Sequence, residues 1–336
     1  MNLFKKAAIC TDHHIGLKNN SVVHNEDCLE FIKWFIDTAK KSNCDTVIIL
    51  GDWHNHRASI NILSLSYSLR CLELLNNNFD QVYMIAGNHD LFYRDRREVS
   101  SVEWAKHLPN ITIINDFLTI GDTTFCPWLI GDEHKKLRKI NSRYVFGHFE
   151  LPTFYMNSLV MMPQHGEHTA EDLANAGDVF SGHFHKRQSR GNIHYIGNTF
   201  PHNYADAWDD ERGMMVLAWG EKPEYITWPD QPTFRTVQLS QLIDNAPTIL
   251  KPKQFLRVSL DIDISFEEAS FIKETFINDY KLRELTLIPA KKSFDTEEVI
   301  DIKQFESIDQ IVANNLVNID SGTFNKNLLL SIYNGL

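Results

Sequence analysis

The chain has 336 residues, of which 43% are hydrophobic and 23% charged, a composition typical of globular proteins. Its net charge of −11 excludes a uniformly basic surface, although bound cations or a partner subunit can offset acidity locally. No apolar run is long enough to span a bilayer, the N-terminus lacks a signal-peptide pattern, and the five cysteines are scattered. We therefore expect a cytoplasmic protein with reduced thiols and no membrane partner.

Short apolar runs alternate with helical patterns in the first part of the chain. The helical patterns cover residues 26–41 and 60–75. This strand–helix–strand order predicts a layered α/β fold with parallel strand pairing. The runs that we predict as buried strands are Ala7–Cys10, Val47–Leu50, Val82–Ala86, Tyr144–Phe146 and Val179–Phe180.

Two later stretches have a different pattern. Ile111–Trp128 contains strand-like runs broken by turn residues, which predicts a meander. Met214–Trp219 and Tyr225–Trp228 predict a late hairpin. Mixed sheets flanked by helices would account for both halves of this region.

The prolines between Pro229 and Pro252 predict a domain boundary. Alternating apolar residues from 256 to 264 then predict a strand with one buried face. Ser265 begins a helical pattern, with Glu268 completing a capping box, and Leu282–Ile288 reads as a second strand. We therefore predict a main domain at residues 1–235, a small βαβ-type domain at 250–295, and a C-terminal helical segment at 300–336 that binds a partner.

Five short polar motifs stand out, and four of them directly follow a predicted strand. In each, a strand carries the chain to one edge of the sheet, where glycine permits a sharp exit and a polar side chain follows. Sites in open α/β sheets form at this carboxyl edge. The motifs are Asp12-His13-His14-Ile15-Gly16, Gly51-Asp52, Gly87-Asn88-His89-Asp90, Gly147-His148 and Gly182-His183-Phe184-His185.

These motifs predict a metal site. Taken singly, each could be an ordinary turn or strand end. Together they offer Asp, Asn and His ligands without Cys, a set that suits manganese, iron or zinc. Seven ligands are too many for one four-coordinate zinc and fit two ions that share a carboxylate. His165 and His202 are possible neighbours of the site. The seven predicted ligands are Asp12, His14, Asp52, Asn88, His148, His183 and His185.

Over about residues 7–228 the motifs resemble the calcineurin-like metallophosphoesterase superfamily, and within it the SbcD/Mre-type double-strand-break repair nucleases. The short chain looks most like the phage recombination nuclease subunit. The resemblance implies a layered α-β-β-α sandwich, a βαβ-type capping domain and C-terminal helices. It rests on the opening motif at residues 12–16 and on residues 147–151, 181–185 and 195–199.

The resemblance also implies the roles of individual residues. Asp12, His14 and His185 would hold one divalent ion, and Asp52 would bridge it to a second. That second ion would be held by three further ligands, namely Asn88, His148 and His183. Mn²⁺ is the expected metal, with Mg²⁺, Fe²⁺ or Zn²⁺ as alternatives.

His89 would protonate the leaving oxygen or stabilise the phosphate, and Asp90 would fix the His89 tautomer. A departure from the family pattern lies in the second motif, where Asn55 replaces the usual Asp and His54 the usual Phe. An arginine cluster could bind the phosphates that flank the cleaved bond. The alternative is that these arginines belong to a solvated loop and form only local ion pairs. The cluster consists of Arg94, Arg96 and Arg97.

The implied function is a DNA exonuclease or endonuclease in recombination or repair. The implied partners are DNA and an SbcC-like coiled-coil ATPase, which Phe305–Leu336 would contact, with two nuclease chains forming a homodimer within a heterotetramer. The alternatives are a protein phosphatase or small-molecule phosphodiesterase of the same superfamily, and a non-catalytic scaffold. Protein phosphatases typically have Gly-Asn-His-Glu where this chain has Gly87-Asn88-His89-Asp90, which argues against the phosphatase alternative. The presence of all seven predicted ligands argues against the scaffold alternative.

Overall fold

The computed structural model describes residues 2–164 and 168–289, so His165 and the predicted segment Phe305–Leu336 lie outside the described residues. None of the helices in these ranges has the length and apolar character needed to cross a membrane. The strands are β1 Lys6–Cys10, β2 Thr46–Ile49, β3 Val82–Ile85, β4 Ile111–Ile114, β5 Leu118–Ile120, β6 Thr123–Cys126, β7 Tyr144–His148, β8 Asp178–Gly182, β9 Gln188–Arg190, β10 Ile193–Tyr195, β11 Gly213–Ala218, β12 Glu224–Thr227, β13 Thr233–Gln238, β14 Gln254–Leu260 and β15 Glu284–Pro289. The helices are α1 Leu17–Asn20, α2 Val22–Lys41, α3 Ile62–Asn78, α4 His134–Leu137, α5 Leu239–Ile249 and α6 Phe266–Tyr280, with 3-10 turns at Glu103–His107, Gly131–Glu133, Ala170–Leu173 and Tyr204–Asp206.

The first sheet has the strand order β12-β11-β1-β2-β3-β4. Strands β1 to β4 run parallel, and the β11–β12 hairpin adds two antiparallel strands at one edge. Helices α2 and α3 cover one face, where Phe31, Phe35 and Leu72 pack against Val47 and Ile49. The predicted strands, the two long helices and the late hairpin of this region are confirmed.

The predicted meander at residues 111–128 is wrong. Strand β4 pairs in parallel with β3 in the first sheet, whereas β5 and β6 form an antiparallel hairpin in the second sheet. The turn after Ile114 therefore carries the chain from one sheet to the other. The local pattern is the same in both arrangements, because only the distant pairing partners distinguish them.

The second sheet has the order β5-β6-β7-β8-β10-β9, in which β6, β7, β8 and β10 are parallel. It packs against the first sheet through a row of stacked rings. Ring centroids are 5.2 Å apart for Tyr83 and Phe125, 5.7 Å for Phe125 and Phe146, and 5.7 Å for Phe146 and Phe180. The outer face of the second sheet is covered by loops and short helical turns around Phe149. The layered α/β fold with mixed sheets is confirmed.

The third sheet is parallel and has the order β13-β14-β15. The predicted βαβ unit corresponds to β14, α6 and β15, and Ser265 and Glu268 form the capping box at the start of α6. Strand β13 and helix α5 also belong to this unit and share its apolar core. The predicted limits at residues 235 and 250 therefore cut through it. Pro247 is one of the prolines from which the domain boundary was predicted, but it lies inside α5.

Candidate metal centre

The polar motifs meet at the carboxyl ends of β1, β2, β3, β7 and β8. The loops after β1 and β2 run side by side, since the Asp12 amide donates to the Gly51 carbonyl and the His14 amide to the Asp52 carbonyl, both at 3.0 Å. A Cβ atom on Gly87 would lie 2.3 Å from Asp52 Oδ1. Only glycine at this position lets the β3 loop approach Asp52 so closely.

Several of the predicted ligands have a left-handed backbone. The φ angles are 55° at Asp12, 49° at His14, 52° at Asp52 and 82° at His183. This conformation costs a residue other than glycine roughly 1–2 kcal/mol, so it persists only where the surrounding structure enforces it. At these four positions the surrounding loops therefore hold the candidate ligands in a conformation that is costly for them.

One half of the centre, which we call the first group, consists of Asp12, His14 and His185. The Nε2 atoms of His14 and His185 are 3.3 Å apart. His14 Nε2 also lies 3.8 Å from Asp12 Oδ1 and 3.7 Å from Asp52 Oδ2. Two imidazole nitrogens and two carboxylates therefore face a common point.

The other half, the second group, consists of Asn88, His148 and His183. The Asn88 Oδ1 atom is 3.0 Å from both His148 Nε2 and His183 Nδ1. His148 Nε2 is also 3.3 Å from Asp52 Oδ2. Asp52 thus lies between the two groups, and all seven predicted ligands come together.

The rings of the second group are oriented by hydrogen bonds on their outer nitrogens. His148 Nδ1 is 2.6 Å from the Leu50 carbonyl oxygen, so it is the donor nitrogen and Nε2 faces the centre. His183 Nε2 is 3.1 Å from Glu150 Oε2, which directs Nδ1 inwards. A carboxylate behind a histidine is a common support of metal sites. No sequence pattern predicted this position for Glu150, although it lies two residues after His148.

The electrostatics of the centre favour an ionised bridge. Burial would raise the pKa of Asp52, but the rings of His148, His14 and His89 outweigh it and hold that pKa well below its usual range. Burial would also lower the pKa of His148, yet the Asp52 carboxylate raises it to about 9. For His14, burial dominates and lowers the pKa. The Asp52 carboxylate therefore favours a positive charge at the position of His148, and a bound cation could replace the His148 proton.

The donor set fits divalent cations. The ligand atoms of Asp52, His148 and His183 lie within 4.8 Å of one another, as do those of His14, Asp52 and His89. Neutral imidazole, amide and carboxylate donors are those that manganese, iron and zinc bind. The residues present therefore fit divalent metal ions.

His89 and Asp90 do not form the predicted pair. His89 Nδ1 is 2.7 Å from the Asn55 carbonyl oxygen, which fixes Nδ1 as the donor nitrogen. The Asp90 carboxylate accepts backbone hydrogen bonds from Gly87 and His54, both at 3.0 Å, and from Trp53 at 3.3 Å. Asp90 holds the loops after β2 and β3 together, and the main chain of the second motif orients His89 instead.

The departures in the second motif leave this arrangement intact. His54 is buried, and its Nδ1 and Nε2 atoms are each 2.9 Å from a serine hydroxyl, of Ser101 and Ser68 respectively. Asn55 contributes its carbonyl to His89, while its amide lies 3.4 Å from His56 Nε2. The support of His89 therefore does not depend on the side chain at position 55.

The predicted arginine cluster is divided. Arg97 donates to the Trp128 carbonyl at 2.7 Å and pairs with Glu133, so the ion-pair alternative describes it. Arg96 stacks 3.7 Å from the Tyr93 ring centroid and lies 3.6 Å from a carboxylate oxygen of Glu98.

Arg94 lies near a residue that the sequence analysis missed. The pKa of Arg57 is lowered by partial burial and by the Arg94 cation, while Asp52 opposes the shift. Arg57 therefore interacts electrostatically both with the Asp52 carboxylate and with Arg94. The only sequence signal for Arg57 was its position five residues after Asp52.

His202 is also brought to the centre. Its ring centroid is 5.2 Å from that of His185 and 5.5 Å from that of His14. The ligand atoms of these three histidines lie within 4.8 Å of one another. The sequence named His202 only as a possible neighbour, because it follows no predicted strand directly.

Three known proteins are similar to parts of this chain. Exonuclease subunit 1 of Enterobacteria phage T4 is 26% identical over 231 residues, which are 65% of this chain and 67% of that protein. The Pseudomonas putida nuclease MPE is 18% identical over 56% of this chain and 66% of that one, with a TM-score of 0.29. Yfce, a phosphoesterase from E. coli, is 16% identical over 67% of this chain and 94% of that one, with a TM-score of 0.34. This chain spans about two thirds of the length of the phage subunit and of the Pseudomonas nuclease.

A family model described as calcineurin-like phosphoesterase matches residues 5–187. That range is more than half of the chain and includes all seven predicted ligands. This protein therefore belongs to the calcineurin-like phosphoesterase family.

Proposed function

We propose that this protein is a two-metal DNA nuclease that hydrolyses phosphodiester bonds. The observation that carries the proposal is the position of Asp52 between two groups of ligands. Its Oδ2 atom is 3.7 Å from His14 Nε2 in the first group and 3.3 Å from His148 Nε2 in the second. A shared carboxylate between two nitrogen-rich groups is the arrangement that two-metal hydrolysis needs.

The two groups of ligands would hold divalent cations, for which we propose Mn²⁺ and whose Lewis acidity would polarise a phosphate and activate water. The chain supplies the positioning. His89 donates Nδ1–H to the Asn55 carbonyl, which leaves Nε2 to hold or transfer a proton at the leaving oxygen. Arg57 and Arg94 add positive charge that favours an anionic substrate.

DNA is the proposed substrate because the phage relative is named an exonuclease subunit. A subunit implies further chains, and we propose an SbcC-like coiled-coil ATPase as the partner of a nuclease homodimer within a heterotetramer. The net charge of −11 supports a partner, since an acidic protein gains affinity for DNA when another chain supplies cations. We propose that residues 300–336 bind the ATPase and that the unit containing β13 to β15 caps the nuclease domain.

The proposal is tested with labelled linear and circular DNA in the presence of Mn²⁺, with and without the ATPase. Bis-p-nitrophenyl phosphate serves as a small phosphodiester in parallel. We expect metal-dependent cleavage of DNA that the ATPase stimulates, and loss of cleavage with EDTA. Hydrolysis of the small phosphodiester without DNA cleavage under any of these conditions would refute the nuclease assignment.

A further inference from the structure

His202 is a buried imidazole with no assigned role. The family match ends at residue 187, so His202 lies beyond it. The residue is 1% exposed, and within the described ranges neither ring nitrogen has a hydrogen-bond partner. A buried polar group without a partner is unfavourable, so a ring with two such nitrogens calls for an explanation.

The ring faces the first group. The ligand atoms of His14, His185 and His202 lie within 4.8 Å of one another, close enough to share one ion. The neighbouring His24 has a different function, because its Nε2 atom is 3.2 Å and 3.0 Å from the carbonyl oxygens of His13 and His14. Of these two adjacent histidines, His24 supports the backbone, and His202 has its nitrogens left for a ligand.

Packing and the main chain hold His202 in place. Its backbone amide donates to Asp206 Oδ2 at 3.0 Å, which fixes the turn that follows. The ring lies edge-on to Phe200 and to His24, with centroids 5.2 Å and 5.3 Å away. Phe200 is itself buried against Trp228. Contacts with neighbouring rings therefore hold the His202 ring in place, without hydrogen bonds to its nitrogens.

We propose that His202 is an additional ligand of the ion held by Asp12, His14 and His185. This inference rests on the two-metal function proposed above. It gives the first group three imidazoles, whereas the second group has two imidazoles and an amide. Imidazole-rich sites favour ions late in the divalent series, so the first group should prefer Zn²⁺ or Co²⁺ over Mn²⁺ more strongly than the second.

The test measures ion binding to the full-length protein by equilibrium dialysis and elemental analysis, with Mn²⁺ and Zn²⁺ in separate experiments. His202→Phe keeps a packed ring without donor nitrogens, and His202→Gln is a smaller polar alternative. We expect two ions in the wild-type protein and a loss of affinity of about 10–100-fold at one site in both variants, with the other site unchanged. Visible spectra of the Co²⁺-loaded proteins should differ, because the first-group ion loses a nitrogen ligand.

His194→Gln is the matched control. His194 is a histidine of β10 whose ring contacts Ser189 at 2.8 Å and Asp178 at 3.6 Å, outside the groups that could hold a metal. Its replacement should leave both affinities and the Co²⁺ spectrum unchanged. Circular dichroism in EDTA identifies the variants that fold without metal. If His202→Phe does not fold, the ligand assignment is tested with His202→Gln alone.

The outcomes separate the two proposals. Wild-type affinities and Co²⁺ spectra in a folded His202 variant would overturn the ligand assignment and leave the two-metal function intact. A wild-type protein that binds no ions would instead refute the proposed function itself. Equal losses at both sites would also overturn the inference, because His202 lies beside the first group alone.

Discussion

The histidine rings in the two halves of the candidate metal centre are oriented in different ways. In the second group, the Leu50 carbonyl and the Glu150 carboxylate hold the outer nitrogens of His148 and His183. In the first group, Nδ1 of His14 lacks a partner within the described ranges, as do both nitrogens of the neighbouring His202. Hydrogen bonds on the outer nitrogens therefore orient both histidine rings of the second group, whereas the ring of His14 in the first group has no such support and is oriented by packing.

This difference predicts separate responses to mutation. A group supported by hydrogen bonds should lose affinity when a distant acceptor is removed. A group supported by packing should respond only when a ligand or its packed ring is changed. Asp52, which lies between the groups, should affect both.

The largest effect is expected for Asp52→Asn, which removes the shared negative charge. We expect both ion affinities to fall and the rate of phosphodiester hydrolysis to drop by at least about a thousandfold. Elemental analysis and a bis-p-nitrophenyl phosphate assay measure the two losses. Asp132→Asn is the control, since Asp132 is an exposed residue that pairs with Lys135. Retention of two tightly bound ions by Asp52→Asn would contradict the bridging role.

His89→Gln should separate chemistry from ion binding. We expect cleavage to fall by at least about a hundredfold, because no imidazole remains to transfer a proton to the leaving oxygen. Both ions should stay bound, since each group keeps its own ligands. His56→Gln, which changes an exposed histidine of the neighbouring loop, should have wild-type activity. A parallel fall in ion content would mean that His89 is a ligand.

Glu150→Gln should weaken only the second group. The amide leaves His183 Nε2 only a neutral acceptor in place of the carboxylate, and we expect about 10–100-fold weaker binding of one ion. Dialysis against a series of Mn²⁺ concentrations measures both affinities. Glu98→Gln, in a pair with Arg96, is the control. If both affinities fell together, the independent support of the two groups would be disproved.

A smaller and graded difference is expected with pH. Burial would lower the pKa of His148, but the Asp52 carboxylate raises it to about 9. His148 must therefore lose a proton before it can bind an ion. Affinity at the second group should therefore rise by about tenfold per pH unit between pH 7 and 8. Burial lowers the pKa of His14, so the first group should change little. Calorimetry in buffers of different ionisation enthalpy would count the released protons, and equal proton release at both sites would contradict the distinction.

The sequence predicted the candidate ligands because four of the five motifs directly follow a predicted strand, and strand ends are readable from short apolar runs. Glu150 and Arg57 were missed because their approach to the centre depends on how distant loops pack. The role expected of Asp90 was wrong for the same reason, since backbone amides from two loops surround it. The meander at residues 111–128 failed because strand pairing is set between distant segments.

The stacked rings between the sheets have a consequence for metal choice. Candidate ligands of both groups come from strand ends of both sheets, so the separation of the sheets sets the separation of the ligands. The rings of Tyr83, Phe125, Phe146 and Phe180 fill part of that space. Two-metal sites work at an ion separation of roughly 3.5–4 Å, so a small change in sheet spacing would matter. Substitutions in this aromatic core could therefore alter metal selectivity during evolution while every ligand stays the same.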